Sequence, residues 1–375
     1  MQSRNKCGVK DLDDLQDLIF NVLSKNPNLT GREIARKIGI ERREVNSFLD
    51  KNRGEFHQDE NYKWKNKEEN TVIIFPSGWI NAEKYELILK GYSNLFNAKN
   101  IVEFVFEPET KFLLESIARF LALSNQLFNH GVRVVIDLGN CKASIGYLNR
   151  AGFFDLLLDG VKVLPEKPKS STATLFKGNT VSLVEFGSIS PVSKNKPLIL
   201  NLHSSFVSKT SNEYDLVALT IFSEFIGNIS EHSESNLDGF AALQTYMPTH
   251  KPKHIQTVIS DSGLGVVKTL RQTLEKNYPD LYAKFPDDGE DSDIGLVFEV
   301  FSKGNITRHG KESGRGLGFK SSREQAAKFD ADLSIRLETF NIQLMYRDGL
   351  LVDYTISKGL TLVQGTHICF DFFID

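Results

Sequence analysis

The chain is poor in cysteine. Cys7, Cys141 and Cys369 are odd in number, far apart and never in CxxC spacing, which speaks against a disulfide framework or a structural zinc site and fits a reducing compartment. Long apolar runs are missing too. Nothing approaches the roughly 18 residues that cross a bilayer, and no N-terminal stretch has the apolar core of a signal peptide. A cytoplasmic protein is the expectation. Charge of one sign is also lacking: the formal net charge is −3, so contact with nucleic acid or membrane has to come from a local patch. What is present is the composition of a globular protein, 40% hydrophobic and 25% charged. At 375 residues, and with about 150 per typical domain, two or three domains are expected.

Residues 1–66 read as the first. Leu12, Leu15, Leu18, Ile19 and Leu23 recur at helical spacing until Asn26-Pro27-Asn28 interrupts them. Thr30 and Glu33 have capping-box spacing for a second helix with Ile34, Ala35 and Ile38 on one face. After Gly39, a third helix from Glu41 carries Val45, Phe48 and Leu49. Gly54–Phe56 and Tyr62–Lys65 read as two short strands joined by a turn over His57–Asn61. This order resembles the winged helix-turn-helix family, above all in "TGREIARKIGIERREVNSFL" from Thr30 to Leu49. The resemblance implies duplex DNA as partner of residues 30–66, with Arg42, Arg43, Lys51 and Arg53 on phosphates. Asn46 and Trp64 resemble the Z-alpha branch, which reads nucleic-acid shape, and would join that contact. Thirteen Lys and Arg stand against eleven Asp and Glu up to residue 66, a small surplus that leaves protein docking open as the other role.

Residues 70–170 alternate. Thr71–Pro76, Ile101–Phe106 and Val132–Leu138 are β-rich, while Ala82–Leu95, Lys111–Asn129 and Ser144–Leu158 are helix-patterned. Such alternation predicts a largely parallel sheet. The order resembles the STAS fold of anti-sigma-factor antagonists, which are phosphorylated on a Ser or Thr in a strand–helix loop. By that likeness Thr110 is the nearest phosphoacceptor and Ser144 the poorer one. From the residues alone, Thr110 reads as a helix cap. Pro165–Ser171 has linker chemistry.

Residues 171–375 hold four further signals. Leu216–His232 is apolar at helical spacing, yet Glu224, Asn228 and His232, each four apart, stack along one face. Ile255–Gly265 ("IQTVISDSGLG") leads a β-branched run into Asp261-x-Gly263-x-Gly265. Gly310–Phe319 ("GKESGRGLGF") alternates Gly314, Gly316 and Gly318 before a helix-patterned stretch, which suits a triphosphate. Gly365-Thr366 precedes a strand at His367–Phe373. A Walker loop is excluded because Phe319 separates Gly318 from Lys320, and a dinucleotide fingerprint because Phe319 stands where its last glycine belongs.

In this order the four stretches resemble the N box, G1 box, G2 box and closing Gly-Thr of the GHKL, or Bergerat-fold, ATPases and kinases. The resemblance implies a C-terminal α/β sandwich with a mixed sheet on one side and helices on the other. The whole chain is then α/β multidomain: winged helix, STAS-like domain and Bergerat sandwich. ATP and Mg²⁺ follow as the expected cofactors. Asn228 would hold the metal, and Glu224 would orient or deprotonate the attacking water. Asp261 would accept the adenine amino group beside Gly263, Gly265 and Thr366. Gly314, Arg315, Gly316, Leu317 and Gly318 would hold the phosphates, with Arg308 and Lys311 adding charge and Gly304–His309 in the lid. His232 reads as structural.

Three roles stay open: an ATPase switch coupling nucleotide state to DNA or partner binding in regulation or defence, an anti-sigma-type serine/threonine kinase, and a non-catalytic ATP-sensing transcription regulator. Histidine kinase is disfavoured, because His203, the one histidine between residues 131 and 231, lies 25 residues before Asn228, too near for a dimerisation hairpin. An ATP-dependent homodimer would follow the habit of the family.

Overall fold

The capping box read from Thr30 and Glu33 forms: the Thr30 side chain accepts the Glu33 N–H, and the Thr30 N–H donates to Glu33 Oε2 at 2.8 Å. The structure is a computed structural model that describes residues 12–67, 69–92, 95–96, 100–179, 182–190, 195–232, 235–249, 252–287, 289–303 and 324–374. The first unit runs α1 (Leu12–Lys25), β1 (Leu29–Thr30), α2 (Gly31–Ile38), α3 (Arg42–Lys51), β2 (Phe56–Gln58) and β3 (Lys63–Asn66). Its strands pair antiparallel in the order β1-β3-β2. Ile19, Ile34, Val45, Leu49, Phe56 and Trp64 close a core of their own. The β2 strand starts two residues later than its sequence suggests and takes in His57 and Gln58, which read as turn.

The middle unit comprises β4 (Glu69–Phe75), β5 (Gly78–Ile80), α4 (Ala82–Leu89), β6 (Asn100–Phe106), β7 (Thr110–Phe112), α5 (Leu114–Asn129), β8 (Arg133–Asp137), α6 (Lys142–Ala151), α7 (Phe153–Leu156), β9 (Lys162–Leu164) and α8 (Thr172–Leu175). The strands β4-β6-β8-β9 form a wholly parallel sheet, as the alternation predicts, and β5-β7 a second parallel pair. Three helix expectations need trimming. The α4 helix stops at Leu89, the helix expected from Lys111 begins only after β7, and Gly152, at φ 85°, splits the one expected across Ser144–Leu158.

The C-terminal unit holds β10 (Leu183–Ile189), α9 (Lys196–Lys209), α10 (Asp215–His232), β11 (Gly239–Tyr246), β12 (Lys253–Ser260), α11 (Gly265–Asn277), α12 (Pro279–Lys284), α13 (Glu290–Lys303), β13 (Ala331–Glu338), β14 (Phe340–Arg347), β15 (Leu350–Ser357) and β16 (Val363–Ile374). Its seven strands order β10-β11-β12-β16-β13-β14-β15. Every pairing is antiparallel, so the mixed sheet is corrected. The turns explain it: Thr339 alone joins β13 to β14, and Asp348-Gly349, at φ 50° and 78°, gives β14–β15 a primed hairpin turn.

One face of this sheet buries Leu333, Ile335, Ile368 and Phe370 against Ile221, Phe222, Phe225 and Ile226 of α10. The other face meets α5. That helix is buried almost end to end: Phe120 packs on Phe75 and Phe104 of the parallel sheet, while Arg119 donates to Ser334 of β13 at 3.0 Å. Accordingly one hydrophobic core runs from the middle unit into Leu183, Phe240, Val258 and Cys369.

Candidate functional site

Asp261, Gly263, Gly265 and Thr366 come together where the end of β12 meets the start of β16. The Asp261 N–H donates to Thr366 O at 3.0 Å. Its carboxylate accepts the Gly263 N–H at 2.7 Å on Oδ1 and the Thr366 N–H at 3.1 Å on Oδ2. The Thr366 hydroxyl in turn accepts the Val266 N–H at 3.0 Å, satisfying one of the open donors at the start of α11. Thr366 therefore acts as a cap supplied from another strand. Gly365 and Thr366 lie inside β16 rather than ahead of it.

Two glycines permit this closeness. A Cβ on Gly365, whose φ is 94°, would fall 2.2 Å from Asp261 O, and one on Gly265, at φ 75°, would stand 3.0 Å from Gly365 O. Both positions combine a left-handed backbone with no room for a side chain. The result is a cradle of glycine backbone, half-buried at Gly263 and Gly265 and buried at Gly365, around a buried carboxylate. Burial pushes the Asp261 carboxyl up to about 6, against the pull of its bonds from Gly263 and Thr366. Above that pH the site holds a negative charge poised to accept an N–H donor.

The α10 helix reaches this point from the side. Val217, Ile221, Phe225 and Ile229 form its buried stripe, and Glu224 and Asn228, one turn apart, are half-buried at its margin. Gly239 fixes the approach: a Cβ there would lie 2.7 Å from Ile229 Cγ2 and 2.9 Å from Ser260 O. The turn carrying Asn228 and Ile229 thus rests on the strand pair at Ser260, the residue before Asp261. Among the described residues no group of three or more His, Cys, Asp or Glu could hold a metal by itself. A divalent cation here would take an Asn228 amide oxygen and need oxygens from its ligand, the habit of Mg²⁺.

No protein-family model matches the chain, and no curated protein does. Residue chemistry alone carries the reading.

The remaining candidates divide. Gly314, Arg315, Gly316, Leu317 and Gly318, with Arg308, Lys311 and Gly304–His309, lie outside the described residues. In the first unit Arg42, Arg43 and Lys51 are exposed, as a phosphate contact requires. Trp64 is not available for such a contact. It is buried in the core at 3% exposure, because on β3 it faces inward against the helices. Arg53 lies over the Trp64 ring and pairs with Asp50 at 2.8 Å, while Asn46 turns toward α2, its Oδ1 1.9 Å from where a Gly31 Cβ would be. In the middle unit Thr110 is neither a helix cap nor accessible. It sits in β7 at 0% exposure, its hydroxyl bonded to Phe75 O and Glu107 O, and Leu113 is the cap of α5. Ser144 is buried too, bonded to Thr110 O.

One contributor was missed from sequence. Gln126, on α5 and fully buried, donates from Nε2 to Ser262 Oγ and to Gln364 O, each at 2.9 Å, and its Oε1 accepts the Gln364 N–H at 2.8 Å. It clamps together the two segments that carry Asp261 and Thr366. The signal was present: Leu114, Ile117, Ala118, Phe120, Leu121, Leu123 and Leu127 put apolar side chains on every side of the helix, as in a helix with protein packed all round it, which leaves Gln126 no face open to solvent.

Proposed function

We propose that the C-terminal unit is a Bergerat-type ATP-binding unit and that the chain is a Mg-dependent ATPase switch. The observation that carries this reading is Asp261, a buried carboxyl that ionises above about pH 6 against glycine backbone, beside a helix margin bearing Asn228 and Glu224. A carboxylate so placed accepts an exocyclic amino group, and the cradle lets a planar base lie against backbone. Asn228 would hold Mg²⁺, which supplies charge neutralisation at the phosphates. Glu224, one turn earlier, would orient the attacking water and take its proton on a carboxylate oxygen. The first unit, with its three helices and small antiparallel sheet, fits a winged helix, and the middle unit with its parallel sheet fits a STAS-like fold; α5 would relay nucleotide state from the C-terminal unit to the middle one. Burial of Thr110 and Ser144 weighs against self-phosphorylation at those positions.

ATP turnover tests the proposal. Purified protein with Mg²⁺ is expected to release phosphate without retaining label, and Glu224→Ala and Asn228→Ala should each abolish release. Label retained on the protein would favour the kinase alternative instead. Absence of both ATP binding and turnover by the wild type would overturn the nucleotide assignment.

A further inference from the structure

The face of the seven-stranded sheet turned toward α4 and α5 is not closed. Between them lies a cleft of about 1180 Å³, above the roughly 300–1,000 Å³ of ordinary small-molecule sites. It is separate from the Asp261 cradle. Along the strands, alternation sends Ile255, Ile335 and Ile368 to the helix-covered face, and His254, Gln256, Asp332, Ser334 and Asp371 to the cleft.

The floor is polar where a sheet packed on a neighbouring unit is ordinarily apolar. Asp332 and Asp371 stand directly opposite each other across the β13–β16 ladder, and Gln256 faces Asp371 across β12–β16. Like charges so opposed destabilise a sheet. Asp371 is held by His254 Nδ1 at 2.6 Å and Gln256 Nε2 at 3.0 Å, and Asp332 by Arg347 at 2.9 Å. Burial first, and then the charge of Asp371, push the Asp332 carboxyl upward against Arg347. The cations lining the cleft are largely committed elsewhere: Arg119 pairs with Glu86 and Glu115, and Lys358 with Asp291.

Two buried atoms in the lining stand without a hydrogen-bond partner among the described residues. They are Gln256 Oε1, on a side chain of a residue only 7% exposed, and Arg119 Nε, on a residue 2% exposed. Leaving such atoms unpaired costs free energy, so they point to a missing polar partner. In the same lining Trp79, 59% exposed, carries Lys111 Nζ 5.8 Å from its ring centre, a cation–π arrangement, and Tyr246 stacks on His254.

We propose that this cleft binds a cationic ligand, its amine or guanidinium group seated between Asp332 and Asp371 and its polar body hydrogen-bonded along Gln256 and Gln343. The cation relieves the opposed carboxylates, and Gln256 Oε1 gains the donor it lacks. A free amine and a basic side chain of a polypeptide share this chemistry.

Titration calorimetry of the full chain separates the two sources, with agmatine as the free guanidinium-amine and acetyl-Gly-Arg-Gly-amide as the peptide. Saturable binding is expected for at least one, and the tighter probe names the source. Asp332→Asn should weaken it about tenfold, as loss of one charge-assisted contact does, and the double change with Asp371→Asn should abolish it. Gln343→Trp, a half-buried floor position, should block the cleft while the thermal unfolding midpoint stays unchanged. ATP binding in these variants should be unaffected, which keeps this result apart from the fate of the nucleotide reading. If neither probe binds saturably, or binding survives both Asn substitutions and the Trp, the proposal is wrong.

Discussion

Asp261 gives the sharpest test of how the site is built. Its carboxyl titrates near 6 in the folded chain against a reference of 3.8, so folding favours the protonated form. Between those values the native state holds the extra proton, and stability is lost as pH rises through the window. A gap of roughly 2 pH units at about 1.4 kcal/mol each comes to about 3 kcal/mol. The wild-type curve hides this. His367, buried and held down to about 3 by burial and by the charge of Arg336, loses stability in the opposite direction as pH falls below its reference of 6.5. Asp261→Asn removes the first contribution and leaves the second. The amide cannot accept both backbone N–H bonds, from Gly263 and Thr366, which costs about 1–3 kcal/mol at every pH. Relative to wild type, the variant should be about 1–3 kcal/mol less stable at pH 4 and equal or slightly more stable at pH 7. Urea unfolding of both proteins across that range measures the difference. A difference that stays constant with pH would refute the claim that burial raises the Asp261 carboxyl to about 6.

Two further predictions concern the connections between units. Gln126→Leu keeps the volume on α5 but releases Ser262 and Gln364; it should cost about 2–4 kcal/mol of stability and weaken ATP binding measured by calorimetry, and unchanged affinity would remove Gln126 from the site. Arg42→Ala with Arg43→Ala should weaken gel shifts of random duplex DNA and lower the salt slope by about 2, whereas an unchanged slope would turn the first unit toward protein docking.

What the sequence reveals is what is local. The Thr30–Glu33 box, the apolar stripe of α10 and the β-branched run into Asp261 each lie within a single element or its cap, so their pattern survives whatever packs on them. Short strands held by distant partners do not. The β7 strand is three residues paired with β5 about thirty residues earlier, and its Lys111 and Phe112 blend into the helical pattern that follows. The antiparallel sheet was legible in principle from Asp348-Gly349, a strong hairpin dipeptide, but the resemblance suggested a mixed sheet instead. Trp64 misled because a wing aromatic exposed to nucleic acid and one turned into the core have the same sequence.

The separation of middle and C-terminal units, expected from sequence at residue 171 and found after α8, is a boundary of the chain rather than of its energetics. Glu86 of α4 binds Arg119 of α5 at 2.6 Å and Arg336 of β13 at 2.9 Å, all three buried. Burial alone would raise the Glu86 carboxyl, but Arg336 and Arg119 outweigh it and hold it below its usual value. Such a trio is neutral at best when complete, yet removing one member strands a buried charge at about 3–5 kcal/mol. It ties α4 and α5 to β13, and the same α5 that carries Arg119 carries Gln126, seven residues on, to the Asp261 turn. A displacement of α5 cannot be confined to one unit. Whatever the middle unit contacts is therefore coupled mechanically to the cradle, through a helix with a sheet on either side.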